Sequence, residues 1–165
     1  NNVAALEYAK GNYDEAKKYA QRAAAINPNN GETNANLGLL ALKAGDTKTA
    51  ETYIAKASEA EGLAEVQGNL YLAQGKYALA EQTFGKTNSN SAALVQIINK
   101  NYAAAANTLS NVKNADAMTD YLKAVLNARQ GNNGAAQTAL RNAISKDPSL
   151  AAYAANDLEL AKISK

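Results

Sequence analysis

Few side chains in this sequence could carry out acid–base or nucleophilic chemistry. Histidine and cysteine are both absent, which removes imidazole and thiolate metal ligands, cysteine nucleophiles and the commonest general base. The closest acidic sets are Asp14-Glu15 and Glu59 with Glu61, and both lie where solvated helix residues or helix ends are expected. The sequence therefore predicts that the protein is not an enzyme and holds no cofactor or metal.

Phosphate, nucleic-acid and membrane binding are equally poorly supported. The glycine-rich stretch 131–134, GNNG, lacks the lysine and the hydroxyl of a phosphate-binding loop. The formal charge is only +2 and no basic cluster exceeds Lys17-Lys18, so a nucleic-acid partner is not expected. No apolar run approaches the roughly 18 residues of a membrane span, and direct membrane insertion is not expected either.

Composition favours helices. Alanine, leucine, glutamine, glutamate and lysine are good helix formers, and the 165 residues include only two prolines. With one phenylalanine and no tryptophan, any core must come from close helix approach over small side chains. These features predict an all-α protein.

The sequence repeats itself in a fixed register. One turn slot is occupied in turn by Gly11, Gly45, Gly75, Lys100 and Gly131. Five residues later stand Ala16, Ala50, Ala80, Ala105 and Ala136. Four residues beyond these stand Ala20, Ile54, Phe84, Leu109 and Leu140. Three further on stand Ala23, Ala57, Thr87, Val112 and Ala143. Offsets of four and seven put these residues on one helical face, which we expect to be buried.

Each repeat is predicted to be helix, tight turn, helix. Glycine suits the turn because it adopts left-handed backbone geometry without a Cβ penalty. Asn12, Asp46 and Asn132 follow the turn and are expected to cap the next helix with their side chains. Pro28 and Pro148 are expected to stop the second helix. The tyrosines near the turn, Tyr13, Tyr77 and Tyr102, are interpreted as packing residues.

These residues resemble the tetratricopeptide repeat family. The matching positions in the first repeat are Gly11, Asn12, Tyr13, Ala16, Ala23 and Pro28. Those of the second are Leu37, Gly38, Gly45, Asp46, Ala50 and Ala57, and those of the third are Gly68, Tyr71, Gly75, Tyr77, Ala80 and Phe84. The resemblance implies a right-handed superhelical array of antiparallel helix hairpins, an α-solenoid, with about five units and a C-terminal capping helix.

The resemblance also implies the division of the chain. Residues 1–165 would form one repeat domain, with units at about 1–30, 31–62, 63–87, 88–114 and 115–148 and a capping helix at about 149–165. The turn slots lie 34, 30, 25 and 31 residues apart, and Lys100 replaces the turn glycine of the fourth unit. We therefore expect the regular array to be disturbed there. The opening residues read as part of a longer array, which predicts a fragment of a larger protein.

In the resembled family, the first helix of each hairpin lines a concave groove that binds peptides or partner proteins. On matching positions this groove would display Tyr8, Asn36, Leu39, Lys43, Asn69, Leu72, Tyr121 and Arg129. An alternative stays open, in which Leu39 and Leu72 pack between helices while Asn36 and Asn69 are only solvated. Family members that clamp a peptide carboxylate do so from positions that are Asn1, Ala5, Asn36, Gly62 and Val66 here. Only Asn36 fits, so such a clamp is not expected.

A structural role is the alternative to groove binding. The alanine-, asparagine- and tyrosine-rich texture is similar to tetratricopeptide segments of bacterial envelope proteins, particularly those of the Bacteroidetes type. This similarity implies a spacer or assembly segment and favours a periplasmic or cell-envelope location over the cytoplasm. A homo-oligomer, formed by stacking of end helices between chains, is a variant of this hypothesis.

Overall fold

The computed structural model describes residues 2–57, 60 and 62–163, and in this part of the chain all regular structure is helical. The first six helices are α1 (Asn2–Ala9), α2 (Tyr13–Ile26), α3 (Gly31–Lys43), α4 (Thr47–Lys56), α5 (Leu63–Ala73) and α6 (Tyr77–Phe84). The next five are α7 (Asn90–Ile98), α8 (Tyr102–Ser110), α9 (Ala117–Arg129), α10 (Asn133–Lys146) and α11 (Leu150–Asn156). Asn1, Glu59 and Glu61, which the sequence analysis considered, lie outside the described residues.

The helices form two compact units, Asn1–Gly85 and Lys86–Lys165, called unit 1 and unit 2 below. In unit 1, α1 pairs with α2, α3 with α4 and α5 with α6, and the first helix of each hairpin also contacts the first helix of the next. In unit 2, α7 pairs with α8 and α9 with α10, and α7 contacts α9. Each predicted repeat range contains one hairpin, so the all-α helical-repeat fold is confirmed.

The turn inside each hairpin is a Schellman motif. After α3, Gly45 N donates to Leu42 O at 3.0 Å and Asp46 N donates to Ala41 O at 2.9 Å. These bonds satisfy carbonyl groups at the end of the helix that have no partner within it. The glycines in this slot have φ between 72° and 81°, the left-handed region that the sequence pattern predicts for them.

Lys100 forms the same turn without a glycine. Its φ is 63°, Lys100 N donates to Ile97 O at 3.0 Å, and Asn101 N donates to Gln96 O at 2.8 Å. The fourth hairpin thus keeps the turn of the others, although a non-glycine residue in this conformation is strained. The boundary between the two compact units falls just ahead of this hairpin, at Gly85 and Lys86.

Replacing Lys100 by glycine should therefore stabilise the protein. We expect Lys100→Gly to raise the free energy of unfolding by about 1 kcal/mol, because the Cβ penalty of the left-handed conformation disappears. The reverse change, Gly75→Lys, should lower it by a similar amount, since open space surrounds Gly75 and only its φ of 72° opposes a side chain. Urea unfolding followed by circular dichroism measures both, and a stabilising Gly75→Lys would contradict the explanation.

The two helices of a hairpin approach each other across a small residue seven positions before the turn. This position is occupied by Ala4, Gly38, Gly68, Ala93 and Ala124, which are all buried. A Cβ added at Gly38 would lie 2.6 Å from Ile54 Cγ1, and one added at Gly68 would lie 2.5 Å from Phe84 Cε1. The larger residues of the repeat register, Ile54 and Phe84, therefore fill the space that the glycines leave.

We expect Gly68→Ala to destabilise the protein, although alanine is the better helix former. The Phe84 ring is only 2% exposed, so it cannot turn away from the new methyl group, and overpacking of this kind typically costs about 1–3 kcal/mol. Chemical denaturation should show a lower free energy of unfolding for Gly68→Ala. The decrease should be smaller when Gly68→Ala is made in a chain that already carries Phe84→Leu. Gly134→Ala in α10 is the matched control, because nothing lies within 4 Å of its added Cβ. An equal effect of both alanines would rule out the close-approach explanation.

The other predictions about the helices have mixed outcomes. The first two positions of the predicted apolar face are buried in all five hairpins, and α2 and α10 end at Ile26 and Lys146, just ahead of the Asn-Pro and Asp-Pro pairs. Side-chain capping is confirmed for Asp46, whose Oδ1 accepts from Thr49 N at 3.1 Å. It is wrong for Asn12 and Asn132 among the described residues, and Asn12 instead donates to Glu7 Oε2 at 2.7 Å.

The C-terminal region is also less helical than predicted. The helix α11 has only seven residues and ends at Asn156. Asp157 then starts a turn, because its carbonyl accepts from Leu160 N and Ala161 N and its Oδ1 accepts from Glu159 N at 2.8 Å.

Candidate functional site

The first helices of unit 1 share one depression of about 300 Å³. It is lined by Asn2 and Ala5 of α1, by Glu32, Ala35, Asn36 and Leu39 of α3, and by Val66 of α5. Two of the predicted groove residues, Asn36 and Leu39, thus lie together in it. We call it the α1–α3–α5 depression.

The lining of the α1–α3–α5 depression is mixed. Its apolar residues are Ala5, Ala35, Leu39 and Val66, of which Ala35 and Val66 are each only 5% exposed. Asn36 can exchange hydrogen bonds with a peptide backbone. Glu32 is the charged residue of the lining.

Asn69 and Leu72 lie further along α5 and are both half-buried. Asn69 Nδ2 donates to Glu65 O of its own helix at 2.9 Å. Asn69 follows Val66 by three residues, so the two side chains share one face of α5. The structure therefore places Asn69 beside the α1–α3–α5 depression, but not in its lining.

Tyr8 and Lys43 belong to a different cluster, centred on Tyr13. The rings of Tyr8 and Tyr13 meet edge to face with their centroids 5.3 Å apart, and Lys43 Nζ lies 5.1 Å from the centre of the Tyr13 ring. Burial, and to a lesser degree Tyr13, raises the pKa of Tyr8 above its ordinary value, while Lys43 acts in the opposite direction. The Tyr8 hydroxyl therefore remains a neutral donor.

A second depression in unit 1, of about 540 Å³, lies between α2, α3 and α4. Lys43 and Tyr13 line it together with Asp14, Lys17, Asp46 and Tyr53, among others. This site is not predicted by the sequence, because its lining comes from both helices of the second hairpin and from α2 of the first. No single helical face in the sequence contains these residues.

The two predicted groove residues of unit 2, Tyr121 and Arg129, are already engaged within the chain. Tyr121 is only 3% exposed, its hydroxyl donates to Asp157 Oδ2, and its ring meets that of Tyr153 edge to face at 5.5 Å. Arg129 Nη2 lies 2.7 Å from Glu159 Oε1. The prediction that Tyr121 is displayed on an open surface is therefore wrong, because residues after α10 cover its ring.

The first helices of unit 2 are tied together at their N-terminal ends. Asp116 caps α9 by accepting from Thr119 N at 3.0 Å, and Asp116 N donates back to Thr119 Oγ1. Asn90 of α7 donates to Asp116 Oδ1 at 3.1 Å and accepts from Thr119 Oγ1 at 2.9 Å. This network fixes α9, and hence Tyr121 and Arg129, relative to α7.

Removal of the Asp116 carboxylate should loosen this end of unit 2. Burial raises the pKa of Asp116, but hydrogen bonds from Thr119 and Asn90 outweigh it and hold the pKa below the ordinary value of 3.8. Because the folded pKa is lowered, the stabilisation is present above the unfolded pKa and is lost as the pH falls through the folded value.

We therefore expect Asp116→Ala to lower the free energy of unfolding by about 1 kcal/mol at pH 7, and by less near pH 3. Denaturant titrations at both pH values measure this difference. Glu51→Ala, at an exposed position within α4, is the control and should change stability by no more than about 0.5 kcal/mol. A cost of Asp116→Ala that does not depend on pH would contradict the assignment.

In the part of the chain that the structure describes, no group of three acidic residues is placed so that it could hold a metal ion. Among the described helices, none combines the length and the apolar character that a membrane crossing requires.

Comparison with known proteins agrees with the geometry. The model of the tetratricopeptide repeat family matches residues 7–68, a range that runs from the end of α1 into α5. The match supports a tetratricopeptide repeat assignment; repeats of this family generally mediate protein–protein interaction and are typically non-catalytic scaffolds. No curated protein matches the chain.

Proposed function

We propose that unit 1 binds an extended peptide segment of a partner protein on the face formed by α1, α3 and α5. The observation that carries this proposal is the α1–α3–α5 depression, to which three successive first helices contribute. A depression shared by consecutive repeats suits an extended chain, because the chain can contact each repeat in turn.

The lining defines the peptide that would fit. An aliphatic side chain would lie against Ala5 and Leu39, while Asn36 would contact the peptide backbone. A lysine or arginine of the peptide would lie near Glu32. Binding would involve shape and hydrogen bonding without covalent chemistry, consistent with the predicted absence of catalysis.

Blocking the depression tests the proposal. Peptides of about 12 residues would be selected from a random display library on the full chain, and their affinities measured by fluorescence anisotropy. Ala5 is exposed at the edge of the depression, so Ala5→Phe can fill it without entering the core. We expect Ala5→Phe to weaken the selected peptides by about ten-fold or more, as for loss of a central contact.

Ala25→Phe is the matched control, because Ala25 is an exposed alanine of the second helix α2. This variant should bind the peptides as the unchanged chain does, and both variants should keep the helical circular dichroism. Equal affinity of Ala5→Phe, or equal loss in the two variants, would exclude the depression as the site. Failure to select any peptide would favour the structural-spacer hypothesis.

A further inference from the structure

The corresponding surface of unit 2 is occupied by the chain itself. The segment Asp157–Ile163 follows α11 and lies against α9, the first helix of the last hairpin. Three of its residues make the contact. Asp157 accepts a hydrogen bond from the Tyr121 hydroxyl, Glu159 forms an ion pair with the Arg129 guanidinium, and Leu160 is buried in the core. Of the two residues contacted, Tyr121 is buried and Arg129 stays partly exposed. Both are positions that the family resemblance places on a partner-binding face.

The segment is a short turn structure and does not continue α11. Asp157 interrupts the helix with extended geometry at φ −81° and ψ 121°, and Leu160 N, Ala161 N and Ile163 N then donate to carbonyls three or four residues back. Leu160 is its single fully buried side chain among the described residues, and Leu158 between the two acidic residues is 93% exposed. One deep apolar anchor flanked by charged contacts is a common pattern in peptide recognition.

Arg129 shows how α9 and α7 form one recognition surface. Its Nε donates to Glu159 Oε1 at 2.9 Å, and its Nη1 donates to Ile97 O at the end of α7 at 3.1 Å. The carbonyl orients the guanidinium, so that its remaining donors face the acidic residue. This ion pair stays partly solvated, with 29% and 37% of the two side chains exposed, and such pairs hold weakly.

We propose that this surface of α9 and α7 is a binding site for an acidic partner peptide with the pattern Asp-x-Glu-Leu, and that Asp157–Ile163 occupies the site in cis. The Tyr121 hydroxyl and the Arg129 guanidinium select two carboxylates, and the apolar cluster that contains Leu122, Val125 and the buried Leu160 selects the leucine. A partner with this pattern would displace the segment. The proposal concerns unit 2 and does not depend on peptide binding by unit 1.

A synthetic peptide tests the site in trans. The probe is a fluorescently labelled peptide of residues 156–163, NDLELAKI. The receptor is the full chain with Asp157→Asn, Glu159→Gln and Leu160→Ala, which weaken the segment in cis. We expect the peptide to bind this variant about ten-fold or more tightly than the unchanged chain, because truncation of anchor residues typically costs this much. A peptide with the same three changes should not bind, and adding Arg129→Ala to the variant should abolish binding.

Leu158→Ala in the full chain is the matched control, since Leu158 faces solvent, and it should bind the peptide no better than the unchanged chain. If the triple variant loses its helical structure, the variant Asp157→Asn with Glu159→Gln keeps Leu160 in the core and takes its place. The Leu160 and Ala161 amides donate hydrogen bonds to Asp157 O. In the unchanged chain, excess peptide should displace the segment and so accelerate hydrogen exchange of these two amides.

Three results would overturn the proposal. Absence of peptide binding to a folded variant would show that the segment is only a structural cap. Equal binding to the unchanged chain would show that the segment does not occupy the site. A concentration-dependent dimer of the unchanged chain, lost on substitution of Asp157 and Glu159, would identify a second copy of the chain as the occupant instead of a partner protein.

Discussion

The structure depends on the close approach of the two helices within each hairpin. A helix with an alanine or a glycine at its crossing point lets its partner come near enough for Ile54 or Phe84 to fill the remaining space. Within each unit, a hairpin then packs against the next hairpin, because two short helices cannot bury all of their apolar surface alone. Repetition thus builds a core from a sequence with one phenylalanine and no tryptophan.

The same close approach leaves one face of the first helices outside the hairpin contact. The two units differ in what lies against that face. In unit 1 the faces of α1, α3 and α5 leave a depression with a carboxylate at Glu32. In unit 2 the face of α9 carries a tyrosine and an arginine, and an acidic segment of the chain lies against it. Glu32 and Arg129 give the two surfaces side chains of opposite charge, and under the two proposals this difference would let one chain distinguish two kinds of peptide.

Much of the fold could be predicted from the sequence, since local geometry decides it. The turn register, the buried face of each second helix and the helix ends before Pro28 and Pro148 follow from steric preferences that act over a few residues. Predictions were less successful where a side chain could hydrogen-bond to more than one partner. Asn12 could cap α2 or bind Glu7, and it binds Glu7. The groove positions carried over from the family resemblance do not all share one surface: Asn36 and Leu39 line one depression, whereas Tyr8 and Lys43 lie around Tyr13.

By itself, the sequence determined the helical hairpins and the faces on which they stack, because periodicity and turn chemistry are encoded locally. Only the tertiary structure decided which of those faces stay accessible. Tyr121 and Asp157 are 36 residues apart, and no helical period relates them, so the burial of Tyr121 could not be read from the repeat. The second depression of unit 1 likewise exists only because α2, α3 and α4 converge. Residue types fix what each surface can bind, and the packing of distant segments fixes whether it is exposed.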